Sequence, residues 1–161
     1  MLKAHGLKIQ EDDGEFTAWP DNVMMAETLE GEIDLLLLCV KSYDIEAILT
    51  ELSTNITPST IIIPFANGVE HKEKIDALVE AKVLQGAVYI LAHKEADGLI
   101  VKKGKVFAAL FGDEKYVRET ALVSSLFEKA GLRHKTPDNI EEAIWKKYLF
   151  ISAFATLTSY F

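Results

Sequence analysis

Cysteine is almost missing from this sequence of 161 residues: Cys39 is the only one, so no intrachain disulfide can form and a reducing compartment is the simplest assumption. Set in the apolar run Leu35 to Val40, it is expected as a small buried hydrophobe. Long apolar segments are lacking as well. The uncharged end of the chain, Tyr148 to Phe161, falls short of the roughly 18 residues that a membrane span requires. Met1-Leu2-Lys3-Ala4-His5-Gly6 has neither the basic start nor the apolar core of a signal peptide, and a cytoplasmic protein is expected, with no membrane partner. Basic charge is scarce. There are 17 Lys and Arg against 25 Asp and Glu, which gives −8 and leaves no general coat for a phosphate backbone, so no nucleic-acid partner is expected.

Several chemistries are excluded in the same way. His5, His71, His93 and His134 show no metal-ligand spacing; each is expected as a surface or capping group, and no metal is assigned. There is no Gly-x-Ser-x-Gly elbow, no Gly-x-x-x-x-Gly-Lys phosphate loop and no Gly-x-Gly-x-x-Gly dinucleotide fingerprint.

What remains is an ordinary globular composition of about one domain, 49% hydrophobic and 26% charged, in which the charge is unevenly spread. Residues 1–80 hold 16 acidic and 5 basic side chains, residues 81–161 hold 9 and 12, so the second half suits a small anion better. Alternation around Asp12-Asp13-Gly14 predicts a hairpin of Gly6–Gln10 and Glu15–Trp19. Asp34–Val40 is apolar on both faces, as a central parallel strand covered by helices would be. Ile45, Ile48, Leu49 and Leu52 then follow helical spacing behind Ser42 or Asp44, and Thr60–Pro64 reads as the next strand. After Asn67-Gly68 come a helix with Ile75, Leu78 and Val79 on one side and a strand over Val83–Ala92. Leu99–Val101 and Val106–Leu110 look like an antiparallel pair joined through Lys102–Lys105. A helix from Asp113 to Gly131, an edge strand within Leu132–Thr136 and a last helix opened by Asp138 and running to the C-terminus complete the chain.

This order of strands and helices is that of an open parallel sheet, whose ligands bind at the carboxyl ends of the strands. Three places put polar groups there or at the border of an apolar helix. Lys41, emerging from a buried strand, could reach a phosphate or ribose, or could simply mark the point where the strand meets solvent. Asn67-Gly68 offers donors, an acceptor and close backbone approach, and is equally a common turn dipeptide. In Trp145-Lys146-Lys147-Tyr148 a lysine beside an apolar face could have a lowered pKa and act as a general acid; the other reading is a solvated lysine pair.

Taken in order, Val40-Lys41-Ser42, Asn67-Gly68-Val69-Glu70-His71, the Gly86–Ile90 strand and Ile140-Glu141-Glu142-Ala143-Ile144-Trp145-Lys146-Lys147-Tyr148-Leu149-Phe150-Ile151 closely resemble the ketopantoate reductases (2-dehydropantoate 2-reductases) across the whole chain. The resemblance implies an α/β fold: a partial Rossmann-like doubly wound parallel sheet with an added antiparallel hairpin, followed by the first long helix of an all-α domain. Its division would be 1–136 as a partial NADP-binding domain and 137–161 as the start of a helical substrate and dimerisation domain. It implies NADPH-dependent reduction of a 2-oxo acid, ketopantoate to pantoate in pantothenate biosynthesis, by a cytoplasmic homo-oligomer. By the same resemblance Lys147 is the catalytic lysine, Asn67 contacts cofactor and substrate, Lys41 lies at the NADP site and Ala92 gives a backbone contact there. The family begins with a glycine-rich unit and ends with a helical domain that this chain lacks, so a fragment is expected. Where the family often places asparagines beyond the lysine, Ile151 and Ala155 stand here, with Ser152 a partial substitute toward substrate. Two alternatives stay open: a non-catalytic truncated scaffold, and a related hydroxy-acid dehydrogenase.

Overall fold

A computed structural model describes residues 2–160, with side chains from Ala4 onward. A short helix, α1 (Leu2–His5), leads into the hairpin of β1 (Leu7–Glu11) and β2 (Gly14–Ala18), paired antiparallel as the alternation predicts. Three strands then run parallel: β3 (Leu35–Leu38), β4 (Ile61–Pro64) and β5 (Lys82–Val83), crossing over through α2 (Ile45–Glu51) and α3 (His71–Asp76). The long strands β6 (Gln85–Ala96) and β7 (Leu99–Gly112) pair antiparallel and build a second sheet, in which β7 also takes β1 and the short β8 (His134–Lys135) as parallel neighbours. α4 (Val117–Lys129) and α5 (Ile140–Thr158) are the longest helices. The fold is the mixed α/β, Rossmann-like class with an added hairpin and a long final helix.

β4 is the wall between two cores. Strand residues alternate between faces, so Ile62 meets Ile45, Leu49 and Ile75 under α2 and α3. Ile61 and Ile63 point the other way, into Phe111, Val123 and Phe127 of β7 and α4. All three isoleucines are 5% exposed or less, and each such burial stabilises the fold by about 1.5–3 kcal/mol. This double covering is why Ile61-Ile62-Ile63 reads as an unbroken apolar run.

Several details depart from the sequence expectations: α3 stops at Asp76, short of Leu78 and Val79, α4 starts at Val117 behind Tyr116 rather than at Asp113, and β3, expected as a central strand, lies at the edge of its sheet among the described residues. The strand expected over Val83–Ala92 divides: Val83 ends the parallel sheet, and the chain passes into β6 of the second sheet. Gly86 permits the crossing, because a Cβ there would lie 2.6 Å from Ile63 Cγ2 and from the Pro64 carbonyl oxygen. The expected loop Lys102–Lys105 lies inside β7 instead. The true turn is Asp97-Gly98, with Gly98 at φ 78°, while Gly104 at φ 68° sits in a bulge where β7 steps from Lys102 opposite Ala92 to Phe107 opposite Ile90. Cys39, just past the end of β3, is exposed rather than buried: on its face of the strand Leu35 packs against the α4 core, but Leu37 is already 39% exposed. The last helix is capped by Asn139, not Asp138, and its expected terminal residue Phe161 lies outside the described residues.

Candidate active site

The α5 helix starts where the Asn139 side chain accepts a hydrogen bond from the Glu142 N–H at 2.9 Å, and Glu141 and Glu142 complement the positive first turn. Ile140 and Ile144, one turn apart, dock this end on Ala87 and Leu110 of β6 and β7. The next residue in that stripe is Lys147. Helical spacing therefore carries a lysine onto the buried face, where it is 7% exposed.

Lys147 Nζ donates to Asn67 Oδ1 at 2.7 Å and lies 5.6 Å from the centroid of the Tyr89 ring. No carboxylate pairs with it among the described residues, and burial pulls its pKa below the ordinary lysine value. Lys146, its neighbour in sequence, points to solvent and pairs with Glu142 at 2.5 Å. Of the two readings left open for this lysine pair, the solvated one describes Lys146, and the lowered pKa of the other describes Lys147.

Asn67 sits on the loop after β4, at the carboxyl edge of the parallel sheet. β3 and β4 are in register through Leu38 and Pro64, and Lys41 and Asn67 each follow three residues beyond, so both stand on the edge where open α/β sheets take ligands. Lys41 is exposed there. A small cleft of about 60 Å³ opens beside Asn67 and Lys147, walled by Ala87, Ile144, Tyr148 and Ile151. The remaining predicted residues lie apart from this pair. Ser152 is half-buried on α5, five residues past Lys147 and about 140° around the helix, outside the cleft wall. Ala92 is exposed on β6 and lines a different hollow of about 750 Å³, on the sheet face that carries Ile90 and Phe107.

Two residues near the site escaped the sequence reading. Tyr89 was visible only as part of a strand. His71, expected as a surface or capping group, is 8% exposed, and its Nε2 lies 3.0 Å from the Asn67 carbonyl oxygen. Its position four residues after the asparagine, at the start of α3, is the signal that could have identified it. His134 is likewise half-buried, with its Nε2 2.6 Å from Ser124 Oγ and its ring stacked on Phe111.

The family described as "Ketopantoate reductase PanE/ApbA" matches residues 1–113, and the chain belongs to that family. An uncharacterized oxidoreductase of Bacillus subtilis, YkpB, is 30% identical over 167 residues, covering 100% of this chain and 54% of that protein. The 2-dehydropantoate 2-reductase of Methylococcus capsulatus superposes with a TM-score of 0.82 at 26% identity, over 98% of this chain and 52% of that one. A D-mandelate dehydrogenase solved with NADH and anilino(oxo)acetate gives 0.77 at 25% identity, over 91% and 48%. The chain spans about half the length of the curated relatives it matches.

Proposed function

We propose that the chain forms the lysine-bearing side of an NADPH-dependent reductase of 2-oxo acids, with conversion of ketopantoate to pantoate as the first reading. The observation that carries it is the contact of a buried lysine, unpaired with any carboxylate among the described residues, with an asparagine at the carboxyl edge of a parallel sheet. In this reading residues 1–136 belong to a partial NADP-binding domain and residues 137–161 begin a helical one.

The residues present suit a nicotinamide cofactor: Lys41 offers an exposed cation for a phosphate or ribose, and Asn67 an exposed amide beside a glycine. When bound, the reduced nicotinamide supplies the hydride that the carbonyl carbon of the substrate accepts. Lys147 holds a proton on Nζ at the cleft, and transfers it to the substrate oxygen as negative charge develops there; Nζ, left neutral, regains a proton from water. Its lowered pKa makes the ammonium a stronger acid than that of a solvated lysine, so it gives up the proton to the developing alkoxide more readily. Asn67 Oδ1 accepts one Nζ hydrogen and so aims the others, a positioning role.

A second reading follows from the cleft wall. Ile144, Tyr148 and Ile151 are apolar or aromatic, which favours a 2-oxo acid with an apolar side chain and thus a hydroxy-acid dehydrogenase. Phe150, Phe154 and Leu157 are each at least 60% exposed on α5, which supports an assembled state such as a homo-oligomer. Steady-state oxidation of NADPH and NADH by the native protein, against a panel of 2-oxo acids, tests both readings. Turnover of ketopantoate with NADPH is expected; a preference for aromatic 2-oxo acids selects the second, and no turnover with any of them overturns the proposal.

A further inference from the structure

The loop that presents Asn67 is short, exposed at its tip and free of regular hydrogen bonding, yet Asn67 must stay aimed at Lys147 for either reading to work. The loop runs from the end of β4 to the start of α3 and gains its support from below. His71 is the first residue of α3 and is buried at 8% exposure. Its ring lies directly under Gly68: a Cβ on Gly68 would sit 2.5 Å from His71 Nε2 and 2.8 Å from Cε1, and Gly68 itself has φ at 146°. No side chain larger than hydrogen fits between them. With the ring in that place, Nε2–H donates to the Asn67 carbonyl oxygen at 3.0 Å. The donor must be the histidine, since a carbonyl can only accept, so the ring carries its proton on Nε2.

We infer that His71 is a positioning residue for the Asn67–Lys147 pair, fixing the asparagine backbone so that its side chain stays within reach of the lysine. This rests on the reading of Lys147 as the proton donor. His71 does not line the cleft beside Lys147; it borders the narrow space on the other side of Gly68, with Lys72 and Gln85. It therefore acts through Asn67. The hydrogen bond it supports is made to the charged form of Lys147, so losing it disfavours the ammonium. The Tyr89 ring face 5.6 Å from Nζ belongs to β6 and does not depend on the loop.

The test compares His71→Phe, which keeps a ring without a donor, with His71→Gln, which restores an N–H of similar reach. Competitive acetylation of the chain, followed by mass spectrometry across a pH series with exposed Lys146 as internal reference, reports the titration midpoint of Lys147. The midpoint distinguishes a proton-affinity change from a mere gain in access, which raises labelling equally at all pH values. In His71→Phe the Lys147 amine at a fixed pH below the midpoint is expected to react about 3–10-fold faster, the equivalent of one ordinary hydrogen bond, while His71→Gln stays close to wild type. An unmoved midpoint in folded His71→Phe, or a shift in His71→Gln as large as in His71→Phe, overturns the inference. If His71→Phe does not fold, as read by circular dichroism, His71→Gln against His71→Leu decides by the same criteria. In the native protein the parallel expectation is a loss in kcat for His71→Phe that His71→Gln restores. The labelling result does not need activity, so a reductase reading that fails leaves it standing or falling on its own.

Discussion

Lys146 and Lys147 are neighbours in sequence and opposite in circumstance. Lys146 lies on the solvent face of α5, tied to Glu142 one turn earlier, the kind of exposed pair that contributes only about 0.3–0.5 kcal/mol. Lys147 lies on the docked face, its ammonium desolvated and held by one neutral acceptor. A 100° step around a helix separates an ordinary surface charge from a buried amine with a lowered pKa. Residue type therefore matters less here than which face the helix buries, and Ile140 and Ile144 decide that.

The sharpest way to break the comparison is kinetic. Lys147→Ala in the native protein is expected to lower the turnover number by about 10²–10⁴-fold, measured by loss of reduced nicotinamide absorbance, and Lys146→Ala to leave it nearly unchanged. Equal losses from the two would return Lys147 to the solvated class. Next in size is the docking itself. Ile144→Ala, at 6% exposure, should cost about 2–5 kcal/mol in chemical denaturation, whereas Leu149→Ala, at 63%, should stay within about 0.5 kcal/mol.

A smaller effect, of opposite sign, concerns pH. Because burial lowers the Lys147 pKa in the folded chain, the unfolded chain binds more protons between that value and the ordinary lysine pKa, and stability rises with pH through that window. Lys147→Met should therefore be more stable than wild type at neutral pH, with the advantage shrinking as pH approaches the ordinary lysine range, as thermal melts at a series of pH values would show. Smallest is the cap: Asn139→Ala should cost about 1 kcal/mol, read in the same denaturation experiment.

The strand and helix signals were legible in the sequence because they depend on local period. The hairpin at Asp12-Asp13, the crossover helices and the face of α5 all follow from spacings of two or of three and four residues. Lys147 was legible as a lysine on the border of an apolar stripe, but its distinction from Lys146 depended on whether the stripe included position 147. Partition of strands between two sheets was not legible. Val83–Ala92 carries one continuous apolar pattern, and only the close approach of Gly86 to Ile63 shows where it changes sheets. The turn was misplaced for a related reason: Gly98 and Gly104 both adopt φ near 70°, and a glycine in a bulge looks the same in sequence as a glycine in a hairpin. His71 was missed because its role depends on a carbonyl group, which sequence does not display.

The position of β4 between two cores sets how this molecule can open. Neither core can lose its packing without exposing one side of the same three isoleucines, so no partial opening releases the amides of Ile61 to Ile63 and leaves the rest of the fold in place. Their hydrogen exchange should follow the global unfolding equilibrium, slowest in the chain. β2, paired with β1 alone among the described residues and exposed at four of its five positions, should exchange orders of magnitude faster through local fraying. Asn67 follows the end of β4 by three residues, so the candidate site is anchored at the slowest-exchanging end of that range.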